Sequence, residues 1–236
     1  MLYGAMRGLF SVLIKLLSRS TVEGLENLPD SGAFLLVGNH MSMVDIPLGF
    51  AYLGDPNIRG WAAAKWSSHP LFAPIVHVGG GVFIRRGEVD RSSLREAIDW
   101  LRSGKPFALS PEGTRSRNGA LQRGKTGAAY LAAEADVIVV PMGIIGTDQA
   151  FRTLFLKLRR PELTLRIGEP FKLAPLDENH RNASLRENTD EIMCRIANLL
   201  PSRYWGYYVE HPRLMDLLKT QSPPGQDADT LGELGE

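Results

Sequence analysis

The chain is 236 residues long, 44% hydrophobic and 22% charged. Those proportions exclude a wholly disordered or fibrous polymer, and a chain of this length can bury about 70% of its extended surface. Lys+Arg 27 against Asp+Glu 26 leaves a formal net charge of +1, so no basic excess points to a nucleic-acid partner. The single cysteine, Cys194, excludes an intrachain disulfide framework and a multi-Cys zinc site.

At the N-terminus Leu2, Met6, Leu9, Phe10, Leu13, Leu16 and Leu17 recur at helical spacing, with Arg7, Ser11, Lys15 and Ser18 on the other side. Only seven uncharged residues separate Arg7 from Lys15, too few for a membrane span or a signal-peptide core. Residues 1–20 are therefore expected to form an amphipathic helix lying in a membrane interface, with Arg7, Lys15 and Arg19 near anionic headgroups. Packing of the same helix on its own domain is the alternative. Residues 21–29 read as a connector, and the apolar run 33–37, closed by Gly38, reads as a strand. A helical pattern follows over 46–53.

Residues 66–84 lack Asp, Glu, Lys and Arg, yet His69, His77, Pro70, Pro74 and the glycines 79–81 would leave backbone groups unsatisfied in lipid. This stretch is expected as a loop or short helix leading into a strand at 81–84. Further on, 92–101 and the Ala-rich 126–135 read as helices, and 107–109 as a short strand. A buried-type strand over 137–140 is expected to end at Pro141. A strand at 163–167 and a helix over 185–200 complete the pattern. Strands alternating with helices predict a single α/β domain over 21–218, with a largely parallel central sheet flanked by helices. From Lys219 the chain is polar, with one Lys and four carboxylates, and 219–236 is expected to be a disordered acidic tail.

Two motifs compete for the chemistry. Gly119, Gly124, Lys125 and Thr126 fit the phosphate-cradling pattern G-x-x-x-x-G-K-[ST] of nucleotide hydrolases. No strand pattern ends just before that loop, however, and 110–118 is polar and turn-like. The other motif is a His followed five positions later by Asp, a spacing that lets a carboxylate hold one ring nitrogen while the other takes a proton. With five histidines and about one Asp in twenty residues, chance supplies about 0.25 such pairs. Two occur, His40 with Asp45 and His211 with Asp216. His40 follows a strand and a turn, where α/β sheets present functional loops. His211 follows Tyr204, Trp205, Tyr207 and Tyr208, which read as packing for a terminal helix.

The block Asn39-His40-x-Ser42-x-x-Asp45 is followed in order by Gly80-Gly81-Val82-Phe83-Ile84-Arg85-Arg86, by Pro111-Glu112-Gly113-Thr114-Arg115-Ser116, and by 137–141. Together with 24–29 and Gly124-Lys125, these blocks resemble the glycerolipid acyltransferases, over about residues 22–147. Within that family the chain is most similar to the 1-acylglycerol-3-phosphate acyltransferases among the lysophospholipid acyltransferases. Ser110 and Ile138 depart from the family pattern, which commonly has Phe and Pro there.

The resemblance implies transfer of an acyl group from acyl-CoA or acyl-carrier protein to the sn-2 hydroxyl of lysophosphatidic acid, giving phosphatidic acid. Another lysophospholipid or lipid-linked acceptor is the alternative, and a non-catalytic lipid binder is a third reading. His40 and Asp45 are the implied catalytic pair. Arg86, Glu112, Gly113, Thr114 and Arg115 are the implied acceptor site, with Ser42 and Lys125 as further candidates. Arg86 and Arg115 offer guanidinium forks to a phosphate. Glu112 is implied to bond a glycerol hydroxyl or to hold Arg115. No metal and no cofactor beyond the thioester co-substrate is implied. The implied setting is peripheral or monotopic attachment on the cytoplasmic face of a membrane, with the lysophospholipid, the acyl donor and the lipid surface as partners.

Overall fold

A computed structural model describes residues 2–84, 91–116 and 118–220. Strands β1 (Arg19–Glu23), β2 (Phe34–Gly38), β3 (Arg59–Ala63), β4 (Gly81–Ile84), β5 (Phe107–Leu109), β6 (Ile138–Ile145) and β7 (Glu162–Ile167) form one sheet in the order β1-β7-β6-β2-β5-β3-β4. Neighbours run parallel except β6 and β7, which pair antiparallel with Met142 opposite Ile167. The α/β architecture therefore matches the expectation.

The central strand β2 is buried on both faces, as its unbroken Phe-Leu-Leu-Val run requires. Leu35 and Val37 point into a core shared with α4 (Arg91–Arg102), α5 (Gly127–Ala135), α6 (Arg181–Asn198) and α7 (Pro212–Thr220). Phe34 and Leu36 point the other way, toward Ile14 of α1 (Leu2–Leu17) and Leu48 and Ala51 of α2 (Asp45–Leu53). Each such side chain contributes about 1.5–3 kcal/mol of burial. The short helix α3 (Phe72–Val78) leads into β4, as the 66–84 stretch suggested.

Three expectations are corrected. Residues 21–29 are not wholly a connector, because β1 adds an edge strand from Arg19 to Glu23 beside β7. The strand at 137–140 does not stop at Pro141 but runs on to Ile145. Val139 exchanges both backbone bonds with Phe171, and the Pro141 carbonyl accepts from Gly168. The proline nitrogen thus faces that irregular segment rather than β2, so no ladder bond to β2 is lost. Finally, Lys219 and Thr220 continue α7, whereas residues 221–236 of the expected tail lie outside the described residues.

Helix α1 inverts the simple amphipathic picture. The side facing the domain carries Tyr3, Phe10, Ser11 and Ile14: Tyr3 donates to the Asp55 carbonyl at 3.1 Å, Ser11 to the Ala51 carbonyl at 3.4 Å, and both rings meet Phe50. Leu2, Leu9, Val12, Leu13, Leu16 and Leu17 are exposed. The helix packs on its own domain and also presents an apolar flank outward. No helix among the described residues is long and apolar enough to cross a membrane.

Candidate active site

The site forms where β2 ends. Asn39, almost fully buried, donates to the Ile144 carbonyl at 2.8 Å and accepts from the Ile144 amide at 2.7 Å, pinning the end of β2 to β6. His40 follows, and Asp45 is the first residue of α2, where the helix dipole favours a carboxylate. One Asp45 oxygen, Oδ2, accepts from His40 Nδ1 at 2.7 Å, from the Met41 amide at 2.8 Å and from the Ser42 amide at 2.9 Å. Beside two amide donors that oxygen acts as an acceptor, so Nδ1 donates the ring proton to it, and in the neutral ring the lone pair lies on Nε2. Asp45 is buried while the His40 side chain is 23% exposed, leaving the ring reachable.

The turn after β5 closes the other side. Glu112 is 2% exposed, and its two oxygens accept from the His40 amide at 3.3 Å and the Gln122 amide at 3.0 Å. Burial pushes its carboxyl up to about 7, with the Gln122 and His40 amide bonds pulling it down and the Asp45 charge adding to the rise. The Ser116 amide donates to the His40 carbonyl at 2.7 Å, and the Lys125 amide to the Pro111 carbonyl at 2.8 Å. Residues 39–45, 110–116 and 122–125 are thereby stitched into one unit.

Among the described residues no ion pair joins Glu112 to Arg115; the Glu112 oxygens accept from the His40 and Gln122 amides instead. Arg115 is half-buried beside it, and among the described residues no carboxylate or carbonyl holds its guanidinium. Thr114 is half-buried on the same turn. Gly113 adopts φ +69, and a Cβ there would stand 3.2 Å from Lys125 Nζ, so the lysine lies directly over this turn. Lys125 also borders an open groove with Arg123, Thr126, Asn182 and Arg186. Ser42 is nearly buried and its hydroxyl accepts from the Val44 amide at 3.2 Å, which makes it a turn-closing residue ahead of α2. Arg86 and its neighbour Arg85 lie outside the described residues.

The competing motifs resolve in the same geometry. In the Gly119–Thr126 loop, the Gly124 amide donates to Tyr208 Oη at 3.0 Å and the Lys125 amide to Pro111, so two amides a phosphate cradle would need are committed elsewhere. His211 Nδ1 faces Cys194 Sγ at 3.4 Å and accepts from the Arg213 amide, while Asp216 pairs with Lys219. Cys194 is fully buried, and burial pushes its thiol up to about 12. Among the described residues no three His, Cys, Asp or Glu side chains converge as a metal site. Residue reasoning missed the Asn39 and Glu112 contacts to backbone, whose partners lie 105 and 72 positions away.

A largely parallel sheet with a His-carboxylate pair at the exit of its central strand is an architecture suited to deprotonating a hydroxyl. Residues 19–145 match the acyltransferase family model, and the chain belongs to that family. It is similar to the chloroplastic 1-acyl-sn-glycerol-3-phosphate acyltransferase of Arabidopsis thaliana, with 34% identity over 56% of this chain and 37% of that one. The 1-acyl-sn-glycerol-3-phosphate acyltransferase of Borreliella burgdorferi is 28% identical over 55% of this chain and 52% of the other. The matched region thus spans about half or less of those relatives' length. Among solved structures, the 1-acyl-sn-glycerophosphate acyltransferase PlsC of Thermotoga maritima superposes with a TM-score of 0.65 at 28% identity, covering 84% of this chain and 78% of that one.

Proposed function

We propose that this protein transfers a fatty acyl group from a thioester, acyl-CoA or acyl-carrier protein, to the sn-2 hydroxyl of lysophosphatidic acid. The observation that carries the reading is the 2.7 Å bond from His40 Nδ1 to an Asp45 oxygen already committed as an acceptor. Nε2 takes the hydroxyl proton as the oxygen attacks the thioester carbonyl. The tetrahedral intermediate collapses, a carbon–sulfur bond breaks, and the departing thiolate takes the proton from the imidazolium. The products are phosphatidic acid and the free thiol. Glu112 acts as a positioning residue by holding the His40 amide. The Arg115 guanidinium, which no carboxylate among the described residues holds, meets the acceptor phosphate together with Lys125 over Gly113, and Arg86 is assigned the same role from its sequence block. Names of the similar proteins support the acceptor, and the outward apolar flank of α1 supports peripheral attachment to a membrane, which we place on the cytoplasmic face.

The test is turnover of purified protein with a panel of lysolipids, using a labelled acyl-CoA and the matching acyl-carrier protein in parallel. Lysophosphatidic acid is expected to exceed choline-bearing and neutral lysolipids, and the faster thioester identifies the donor. His40→Ala should lose about 10²–10⁴-fold in turnover. A flat panel overturns the acceptor assignment, and an unaffected His40→Ala overturns the catalytic one.

A further inference from the structure

The antiparallel β6–β7 pair sends the chain out of the sheet at Ile145 and back at Glu162. Because β6 is parallel to β2, that excursion emerges at the same end of the strands as His40. It carries an unusual surface. Phe151, Phe155, Leu156 and Leu158 are 55% to 87% exposed, and the two phenyl rings lie nearly parallel with centroids 6.2 Å apart. Residues 152–156 form a π-helical turn, and Leu158 is held at φ +50, a left-handed conformation costing a leucine roughly 1–2 kcal/mol. A strained leucine bared to water gains nothing from the folded chain itself.

Arg152, Lys157, Arg159 and Arg160 are interleaved with these apolar residues, and no Asp or Glu occurs between Asp148 and Glu162. Among the described residues, none of the four cations pairs with a carboxylate. Arg160 instead donates to the Lys15 and Ser18 carbonyls at the end of α1. That contact sets the excursion beside the exposed Leu16 and Leu17. Apolar tips interspersed with cations that no carboxylate among the described residues holds match a leaflet whose headgroups are anionic and whose interior is hydrocarbon.

We infer that residues 151–160 form a second membrane-contacting element, with Phe151, Phe155, Leu156 and Leu158 entering an anionic leaflet and Arg152, Lys157 and Arg159 meeting its headgroups. The inference rests on the proposed attachment to a bilayer and extends it from α1 to the end of the sheet at which His40 lies. The occupant is the lipid surface, since cations and exposed apolar residues are interspersed through the segment and no carboxylate is among them.

The experiment uses the full chain with an environment-sensitive fluorophore attached at Leu156→Cys or, separately, at Leu9→Cys on α1. Cys194 is buried and leaves the new thiol as the labelling site. Both probes are expected to brighten with phosphatidylglycerol vesicles and to be quenched by brominated acyl chains. The triple variant Arg152→Gln, Lys157→Gln, Arg159→Gln should partition roughly 150-fold more weakly, on the basis of about 1 kcal/mol per surface cation. Its turnover on detergent-dispersed lysolipid should equal that of the parent. A dark probe at 156 beside a bright probe at 9, or a triple variant that binds as tightly as the parent, overturns the inference and leaves attachment through α1 standing. Two dark probes overturn bilayer attachment as a whole, while the detergent assay reports acyl transfer independently.

Discussion

At the scale of single residues, Asp45 does more than orient a ring. Its Oδ2 accepts three N–H groups, so Asp45→Asn turns a donor toward the ring or the turn amides and disturbs both. Turnover is expected to fall by about 10²–10⁴-fold, with an unchanged far-ultraviolet circular dichroism spectrum showing that the fold survives. Glu112 has a different signature. Its carboxyl sits at about 7 in the folded protein against an ordinary 4.5, so between those values the folded chain retains a proton that the unfolded chain releases. Its contribution to stability is therefore fullest below pH 4.5 and is lost as pH rises through 7, by an amount on the order of 3 kcal/mol. Glu112→Gln does not titrate and should flatten that decline. Urea midpoints of both proteins at pH 5 and pH 8 measure it, and an equal fall in the two removes Glu112 as the cause.

Among the elements, the joint between β2 and β6 is the one on which the site depends. Asn39→Ala leaves the Ile144 amide and carbonyl without their partner in the interior. An expected loss of about 2–4 kcal/mol follows, read as a lowered denaturant midpoint. The same scale shows what sequence could and could not reveal. His40 and Asp45 were legible because their pairing is local: five positions carry the chain from a strand end through one turn to a helix start. Glu112 was legible as a member of the site but not as a clamp on the His40 amide, since that contact depends on how β5 lies beside β2. Strand β3, with Arg59 and Gly60, has too little apolar or β-branched content to stand out, and β1 hides because its Arg-Ser-Thr-Val-Glu run is an edge with few buried residues. Pro141 misled in the opposite direction, since its missing N–H falls on the side of β6 away from β2. On α1 the expected division of sides does not hold residue by residue: Phe10, placed with the apolar side, and Ser11, placed with the polar side, both face the domain, while Leu2, Leu9, Leu13, Leu16 and Leu17 stay exposed.

For the whole molecule, the two faces of the sheet are covered unequally. Four helices cover one face, whereas α1 and α2 close much of the other through Ile14, Leu48 and Ala51. Deleting residues 1–18 thus uncovers core as well as removing a lipid contact. Loss of Ile14 alone is worth about 2–5 kcal/mol, so the truncated chain should melt roughly 5–15 °C lower. Leu9→Ser with Leu16→Ser changes only the outward flank and should leave the melting temperature within about 2 °C while weakening vesicle binding. Thermal melts and sedimentation with vesicles separate the two effects, and a truncated chain that melts like the parent would return α1 to a detachable appendage.

The antiparallel step between β6 and β7 has a further consequence, for exchange between related chains. Both ends of the 146–161 excursion are anchored at one margin of the sheet, so it behaves as a cassette whose contents can vary while the frame stays put. Doubling the length of such a loop costs only about 0.6 kcal/mol in closure entropy. Chimeras carrying a relative's segment at this point should keep detergent turnover and acquire the donor's vesicle preference.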